Sequence, residues 1–353
     1  MKNSEIISIL KNSSCPIFIY GGGELAILSE QYLQKNGINI TGFVLDDEYT
    51  SNYVSFYKKS EIENSFTNYI IIKGILWTFK EKNEKIKEKF KGCSQVFSLS
   101  EIHDTEKLDK AYLSSVNNEY SNIFGLLEDK ESKISLRAYL KAKSEEDASY
   151  IVPTVEPTQY FFESAPWKLN NDETLFDCGA FNGDSIRDFL KITGNKFKSI
   201  YACEPDIKNM SELKKYATEA NLKNVYYVNK GVSDFEGEVS FSSSGTMLSH
   251  IVDNSDSKIK IDTIDNILNG KSVSIIKMDI EGSEIKALKG GIKSISKYHP
   301  ILMISAYHRR DDVIQIVDFA KKVGRGGYTF FFRNHKPLAI DSVLYCIPKN
   351  RLR

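Results

Sequence analysis

The chain has 353 residues, is 41% hydrophobic, and carries 47 basic and 47 acidic side chains, so its formal net charge is zero. That balance excludes a global basic field for gripping nucleic acid and leaves enough apolar mass for two packed cores. The five cysteines (Cys15, Cys93, Cys178, Cys203, Cys346) are scattered and form no CxxC pair, which excludes a disulfide framework and a structural zinc site.

In chain order, the first unit opens with the apolar run Pro16–Tyr20, then Gly21-Gly22-Gly23, then a helical pattern from Glu24 to Asn36 that Gly37 stops. A second strand, Ile38–Leu45, ends at Asp46-Asp47, completing a βαβ half-unit. Strand–helix alternation continues through Tyr69–Ile72, a charged helix near Lys80–Lys91, and Val96–Leu99. The reading therefore places a Rossmann-like domain at 1–103. Residues 104–170 read as a helical bridge, with helices over Tyr112–Leu127 and Ser132–Ala142 and breaks at Pro153, Pro157 and Pro166.

A second α/β domain is expected over 171–353, with strands at Thr174–Cys178, Ser199–Cys203, Val225–Val228, Val273–Met278 and Ile301–Ala306. Glu236-Gly237 reads as a turn between two short strands. Asp206 is placed to cap a helix whose Met210, Leu213 and Ala217 share a face. A second helix presents Ile285, Leu288, Ile292 and Ile295. The late strands Tyr328–Arg333 and Ser342–Ile347 suit an antiparallel hairpin.

The stretch LFDCGAFNGDSIRDF, Leu175–Phe189, runs strand, acid, glycines, helix. A parallel strand ending in Asp177 and turning through Gly179 and Gly183 delivers a ligand to the helix N-terminus, with no Cβ in the way. Glu204 follows Gly183 by 21 residues, at the next strand end, where a carboxylate accepts from ribose hydroxyls. The spacing is D-x-G-x-x-x-G rather than G-x-G-x-x-G. An acid there repels a pyrophosphate and suits a cationic, amino-acid-bearing nucleoside, which points to S-adenosyl-L-methionine.

Four blocks together are similar to the FkbM-type family of S-adenosylmethionine-dependent methyltransferases: Phe176–Asp184, Tyr201–Asp206, Gly231–Asp234 and Ile276–Glu284. Gln159-Tyr160-Phe161 matches a pattern in part of that family, and the likeness spans about residues 155–350. The resemblance implies an α/β fold with a class I seven-stranded mixed sheet, its last strand antiparallel and helices on both faces. It implies that Asp177, Gly179, Asn182, Gly183 and Asp184 shape the methionine end of the cofactor site. Glu204 and Asp206 then serve the ribose side, Val232, Ser233 and Asp234 the adenine, and Tyr160 packs against the cofactor. Interdomain core packing is the competing account of Tyr160.

Lys277, Asp279 and Glu281 alternate, so in an extended strand they point the same way. Asp279 and His308, at neighbouring strand ends, are the two candidates for general base in methyl transfer to a hydroxyl, and Glu281 is placed with them. A histidine with an ordinary pKa of ~6.5 suits that task near neutral pH. Asp279, Glu281 and His308 also form a mixed carboxylate–imidazole set of the kind that holds divalent ions; the reading assigns no metal. Lys277, Arg309 and Arg310 are candidate substrate contacts, the two arginines for an anionic acceptor.

In the first unit, Gly21-Gly22-Gly23-Glu24-Leu25-Ala26 fits G-x-G-x-x-A, and Asp46 lies 23 residues beyond Gly23. Gly42–Asp47 resembles the small nucleotide-sugar-binding domains that precede some sugar acyltransferases. Gly21, Gly23 and Asp46 are therefore candidate contacts for a nucleotide-sugar or a dinucleotide, with an empty fold used for association as the third option.

The expectation is an S-adenosylmethionine-dependent O-methyltransferase acting on a small-molecule sugar, nucleotide-sugar or related polyhydroxyl acceptor, in surface-glycan or natural-product biosynthesis. Its competitors are a nicotinamide-dependent sugar-modifying oxidoreductase and a binding protein with a degenerate methyltransferase half. The opening MKNSEIISILKNSS is too polar for a secretory signal, and no apolar run approaches the ~20 residues of a membrane span. A cytoplasmic protein with no nucleic-acid partner follows, and a homo-oligomer is compatible with it.

Overall fold

The computed structural model describes residues 1–51, 54–75, 82–99, 108–145, 147–242, 250–251, 258–336 and 341–353. The expected boundary at 103/104 and the start of the charged helix at Lys80 lie outside them. The chain forms two compact units, one of Met1–Tyr112, Arg137–Val155 and Lys336–Ile340, the other of Leu113–Leu136, Glu156–His335 and Asp341–Arg353.

The first unit holds five strands: β1 (Ile17–Tyr20), β2 (Gly42–Leu45), β3 (Phe56–Lys58), β4 (Tyr69–Lys73) and β5 (Cys93–Phe97). They form one parallel sheet in the order β3-β2-β1-β4-β5. β1 and β4 are buried along their whole length, which is why they read as unbroken apolar runs. The charged helix is Asn83–Lys89.

The second unit is built on β6 (Thr174–Cys178), β7 (Ser199–Cys203), β8 (Val225–Val228), β13 (Ile275–Met278), β14 (Ile301–Ser305), β15 (Tyr328–Asn334) and β16 (Ser342–Pro348). Their order is β15-β16-β14-β13-β6-β7-β8, and only β16 runs antiparallel. The late hairpin is as expected, with its second strand inserted between β14 and β15. Successive strands step outward in opposite directions from β6 and β13. Right-handed crossovers then place the two sets of connecting helices on opposite faces and open a crevice at the carboxyl ends of these two strands.

A second sheet was not legible in advance. It comprises β9 (Gly231–Val232), β10 (Gly237–Ser242), β11 (His250–Ile251) and β12 (Lys258–Asp262), ordered β11-β10-β12-β9. Glu236-Gly237 does separate two short strands, but β9 and β10 pair with β12, not with each other.

Within the second unit, the edge strand β15 is covered by the segment 127–135: Leu127 bridges to Phe330, Ser132 Oγ accepts from the Phe332 N–H, and Asp129 pairs with Arg333. Expected Tyr112–Leu127 is two helices, Lys110–Ser115 and Asn117–Leu126, and the next runs Lys130–Glu145. The aromatic run Tyr160–Phe162 is core, packed with Trp167 and Tyr345. Cys178 and Cys203 are buried and free, as small core residues. Among the described residues, no helix is long and apolar enough to cross a membrane.

Candidate functional site

The turn after β6 is bound tightly to the turn after β13. Gly179 has φ +77, and a Cβ there would lie 2.0 Å from the Asp279 carbonyl oxygen, so only glycine fits. The Gly179 and Ala180 N–H groups both donate to the Cys203 carbonyl at 3.0 Å. Gly183, at φ +86, caps the helix Asp184–Thr193. Asp184 is exposed in its first turn, and Asn182 accepts from the Arg187 guanidinium.

Asp177 does not line this crevice. It is fully buried, accepts from Ser185 Oγ at 2.6 Å, and pairs with Lys277 Nζ at 3.1 Å. Burial pushes its carboxyl above the usual range, while Lys277 and Ser185 oppose that shift. Lys277 is equally enclosed and donates to the Gly179 carbonyl at 2.7 Å. Burial alone would depress its ammonium, yet Asp177, Asp279 and Asp184 together hold it above the ordinary value. Lys277 thus fastens the turn from inside, and no exposed ammonium remains for a substrate. Its partner is Asp177, its register neighbour on the paired strand.

Glu204, at the end of β7, is 6% exposed. Its carboxylate accepts the N–H of Phe181 at 3.0 Å and of Asp206 at 2.9 Å, and the Asn209 side chain adds a third neutral donor. Burial pushes it up to about 6. Asp206 caps the helix Ile207–Glu219 through the N–H groups of Lys208 and Asn209, as expected. Val232 and Ser233 are buried, and the Ser233 N–H donates to the Asp262 carbonyl, so they belong to the small sheet. Asp234 is exposed beside them and accepts from Ser233 Oγ.

The strand carrying Lys277 ends at Met278, and Glu281 has φ +54, so the expected alternation stops at the sheet edge. Asp279, its side chain 23% exposed, is held by two tyrosine hydroxyls. Its Oδ2 accepts from Tyr160 OH at 3.1 Å and its Oδ1 from Tyr307 OH at 3.3 Å. Tyr160 itself has φ +57, is 3% exposed, and its hydroxyl also meets Ser305 Oγ at 2.9 Å. Its ring lies over Lys277 Nζ at 5.2 Å.

His308 is 7% exposed and surrounded by carboxylates. Its Nδ1 lies 3.0 Å from Glu284 Oε1; its Nε2 lies 3.3 Å from Glu281 Oε2 and 3.6 Å from Asp279 Oδ1. Burial would lower its pKa, but Glu284 and Glu281 outweigh that and raise it well above 6.5. This surrounding favours the protonated imidazole, which argues against His308 as the general base and leaves Asp279 as the stronger of the two candidates. Glu284 and Asp312 escaped the sequence reading. Glu284 is fully buried, and Asp312, pushed up to about 7 by burial and by Glu284, accepts the Arg309 N–H. Arg309 and Arg310 are exposed just beyond.

The first unit repeats the device of the second. Gly21, at φ +145, meets the Gly74 carbonyl oxygen across the crevice between β1 and β4, where a Cβ would sit at 2.5 Å. Gly23 caps the helix Glu24–Lys35 in open space. Asp46 follows β2 as Glu204 follows β7, but it is neutralised: Oδ2 takes the Tyr20 hydroxyl and the Lys89 ammonium, each at 2.6 Å. Its Oδ1 is sealed from solvent.

A seven-stranded sheet with this order and one antiparallel strand, its site at the carboxyl ends of the two central strands, is a methyltransferase fold. Residues 177–328 match the family model described as the methyltransferase FkbM domain. No protein of curated function matches the chain in sequence. Among solved structures, the methyltransferase FkbM of Methylobacillus flagellatus KT aligns with a TM-score of 0.70 at 20% identity, covering 98% of this chain and 94% of that one. A protein from Clostridium thermocellum titled a putative rRNA-methylase aligns at 14% identity and TM-score 0.33, covering 53% of this chain and 90% of that one. Aeropyrum pernix fibrillarin, with bound S-adenosyl-L-methionine, aligns at 14% identity and TM-score 0.35, covering 60% and 76%.

Proposed function

We propose that the second unit binds S-adenosyl-L-methionine and transfers its methyl group to a hydroxyl of a sugar, nucleotide-sugar or related polyhydroxyl metabolite. Glu204 carries the cofactor reading. It is a nearly enclosed carboxylate whose partners are all neutral, and such a group is costly to keep charged without further donors. Ribose hydroxyls supply them. Asp46, its counterpart in the first unit, already has a lysine, which favours the second unit as the nucleoside site.

The residues present fit the group. Glu204 takes the ribose, the positive-φ turn Gly179–Gly183 lets backbone approach the amino-acid end, and exposed Asp184 and Asp234 supply negative charge at the rim. When bound, the cofactor supplies an electrophilic methyl on a sulfonium. Asp279 faces the same crevice, held by two phenols, and takes the acceptor's hydroxyl proton. Before any ion binds, His308 pairs with Glu281 and Glu284 and offsets the negative charge of the turn. Exposed Arg309 and Arg310 suit an anionic acceptor such as a nucleotide-sugar. The first unit serves the acceptor or association.

Calorimetric titration with S-adenosylmethionine, its demethylated product, NAD(H) and nucleotide-sugars tests this. Binding of the first two, lost in Glu204→Ala, supports the reading. Binding of NAD(H) in their place supports the oxidoreductase.

A further inference from the structure

Three carboxylates, those of Asp279, Glu281 and Glu284, lie within 3.6 Å of the single imidazole of His308. Lys277 offsets only part of that charge: it acts on Asp279, but its ammonium is in contact with Asp177 and the Gly179 carbonyl. One ligand atom each from Asp279, Glu284 and His308 can be chosen so that all lie within 4.8 Å of one another. Around an ion with bonds of about 2.1 Å, opposed ligand atoms stand about 4.2 Å apart, so small side-chain rotations close the set.

The second observation is unspent bonding capacity. Glu284 Oε1 takes the Ile280 N–H, but its Oε2 is buried and accepts no hydrogen bond. Both ring nitrogens of His308 are buried within ion-pair distance of carboxylates, yet neither is in hydrogen-bond direction. Buried polar atoms of this kind are rare in folded proteins, and a bound ion is one arrangement that satisfies all three at once.

We propose that Asp279, Glu284 and His308 hold a divalent cation at the carboxyl ends of β13 and β14, the ion displacing one proton from the imidazole to solvent. Two carboxylates and one imidazole suit an ion that accepts mixed oxygen and nitrogen ligands, with Mn2+ as the natural probe. Glu281 Oε2 stands 3.3 Å from Nε2, so a small rotation of the ring lets it take the second N–H of a histidine that ligates through Nδ1. The partly exposed Asp279 side leaves coordination positions open. There the ion binds the acceptor's hydroxyl oxygen and lowers its pKa, and the proton passes to the Asp279 carboxylate oxygen that does not ligate the ion. That last role rests on the methyl-transfer reading; the binding of the ion does not.

The test is Mn2+ titration of the full chain after dialysis against a chelator, read by the paramagnetic resonance signal of free Mn2+. One ion per chain is expected, with affinity falling at least ~10-fold in Glu284→Gln and in His308→Gln. It stays unchanged in Glu219→Gln, a remote surface control. Circular dichroism checks that each variant folds; should the buried substitutions fail, Asp279→Asn at the partly exposed ligand carries the test. No binding, or binding that no site variant weakens (an adventitious ion only), overturns the proposal. S-adenosylmethionine binding is measured alongside. Ion binding without cofactor binding overturns the methyl-transfer reading and leaves the site standing; cofactor binding without the ion does the reverse.

Discussion

Lys277 Nζ sits 3.1 Å from Asp177 Oδ1, two register partners on adjacent strands that close their charges inside the sheet. Removing one partner strands the other's charge in the core, which costs far more than the pair itself contributes. Lys277→Met is expected to lower stability by about 3–5 kcal/mol in urea unfolding, and Asp177→Asn added to it to recover a large part of that loss. Additive losses would mean that the two side chains act independently.

Three glycines offer a graded series. In Gly179→Ala the new methyl meets the Asp279 carbonyl at 2.0 Å on top of a left-handed backbone, so a loss of about 3 kcal/mol or more is expected. Gly183→Ala has the positive φ but only ordinary contacts from 3.4 Å outward, so about 1–2 kcal/mol is expected. Gly23→Ala, with φ −104 and nothing within 4 Å, is expected to be nearly neutral. Thermal melts of the three variants check the order.

The main sheets were legible because their central strands are buried on both faces and read as apolar runs ending in acids and glycines. The small sheet was not, because β9 and β11 have two residues each and carry no periodicity. The site was half legible. Alternation from Lys277 assumed a strand that in fact ends at Met278, one residue before Asp279. Glu284 looks like an ordinary acid in the first turn of a helix, favourable there for the dipole alone. Only the return of β14 beside β13 sets His308 against it, a long-range pairing that no local pattern encodes.

Glu204 gives the proposed cofactor site a pH signature. Its carboxyl is raised in the fold from 4.5 to about 6, so the folded chain holds its proton over a range in which the unfolded chain has released it. Stability therefore falls by about 2 kcal/mol as pH rises through that window. Ribose hydroxyls donate to the carboxylate and favour its charged form. S-adenosylmethionine affinity is thus expected to rise between pH 5 and about 7 and then level off, and to be flat over that range in Glu204→Gln. Calorimetry across pH checks both curves; a falling wild-type curve would remove Glu204 from the ribose.

Asp279 divides binding from chemistry. Its carboxylate is placed by the hydroxyls of Tyr160 and Tyr307, so Asp279→Asn keeps the shape and loses the base. Turnover is expected to fall about 10²-fold or more, with cofactor affinity changed little, because the proposed cofactor contacts lie with Glu204 and the β6 turn. Tyr160→Phe removes one of the two phenolic bonds and leaves the carboxylate. A loss of about 10-fold is expected there, in turnover rather than in affinity. Transfer of labelled methyl to a panel of sugars and nucleotide-sugars, with cofactor binding measured in parallel, separates the two effects. If Asp279→Asn turns over normally, proton removal belongs to another group, and the tyrosine pair serves the fold alone.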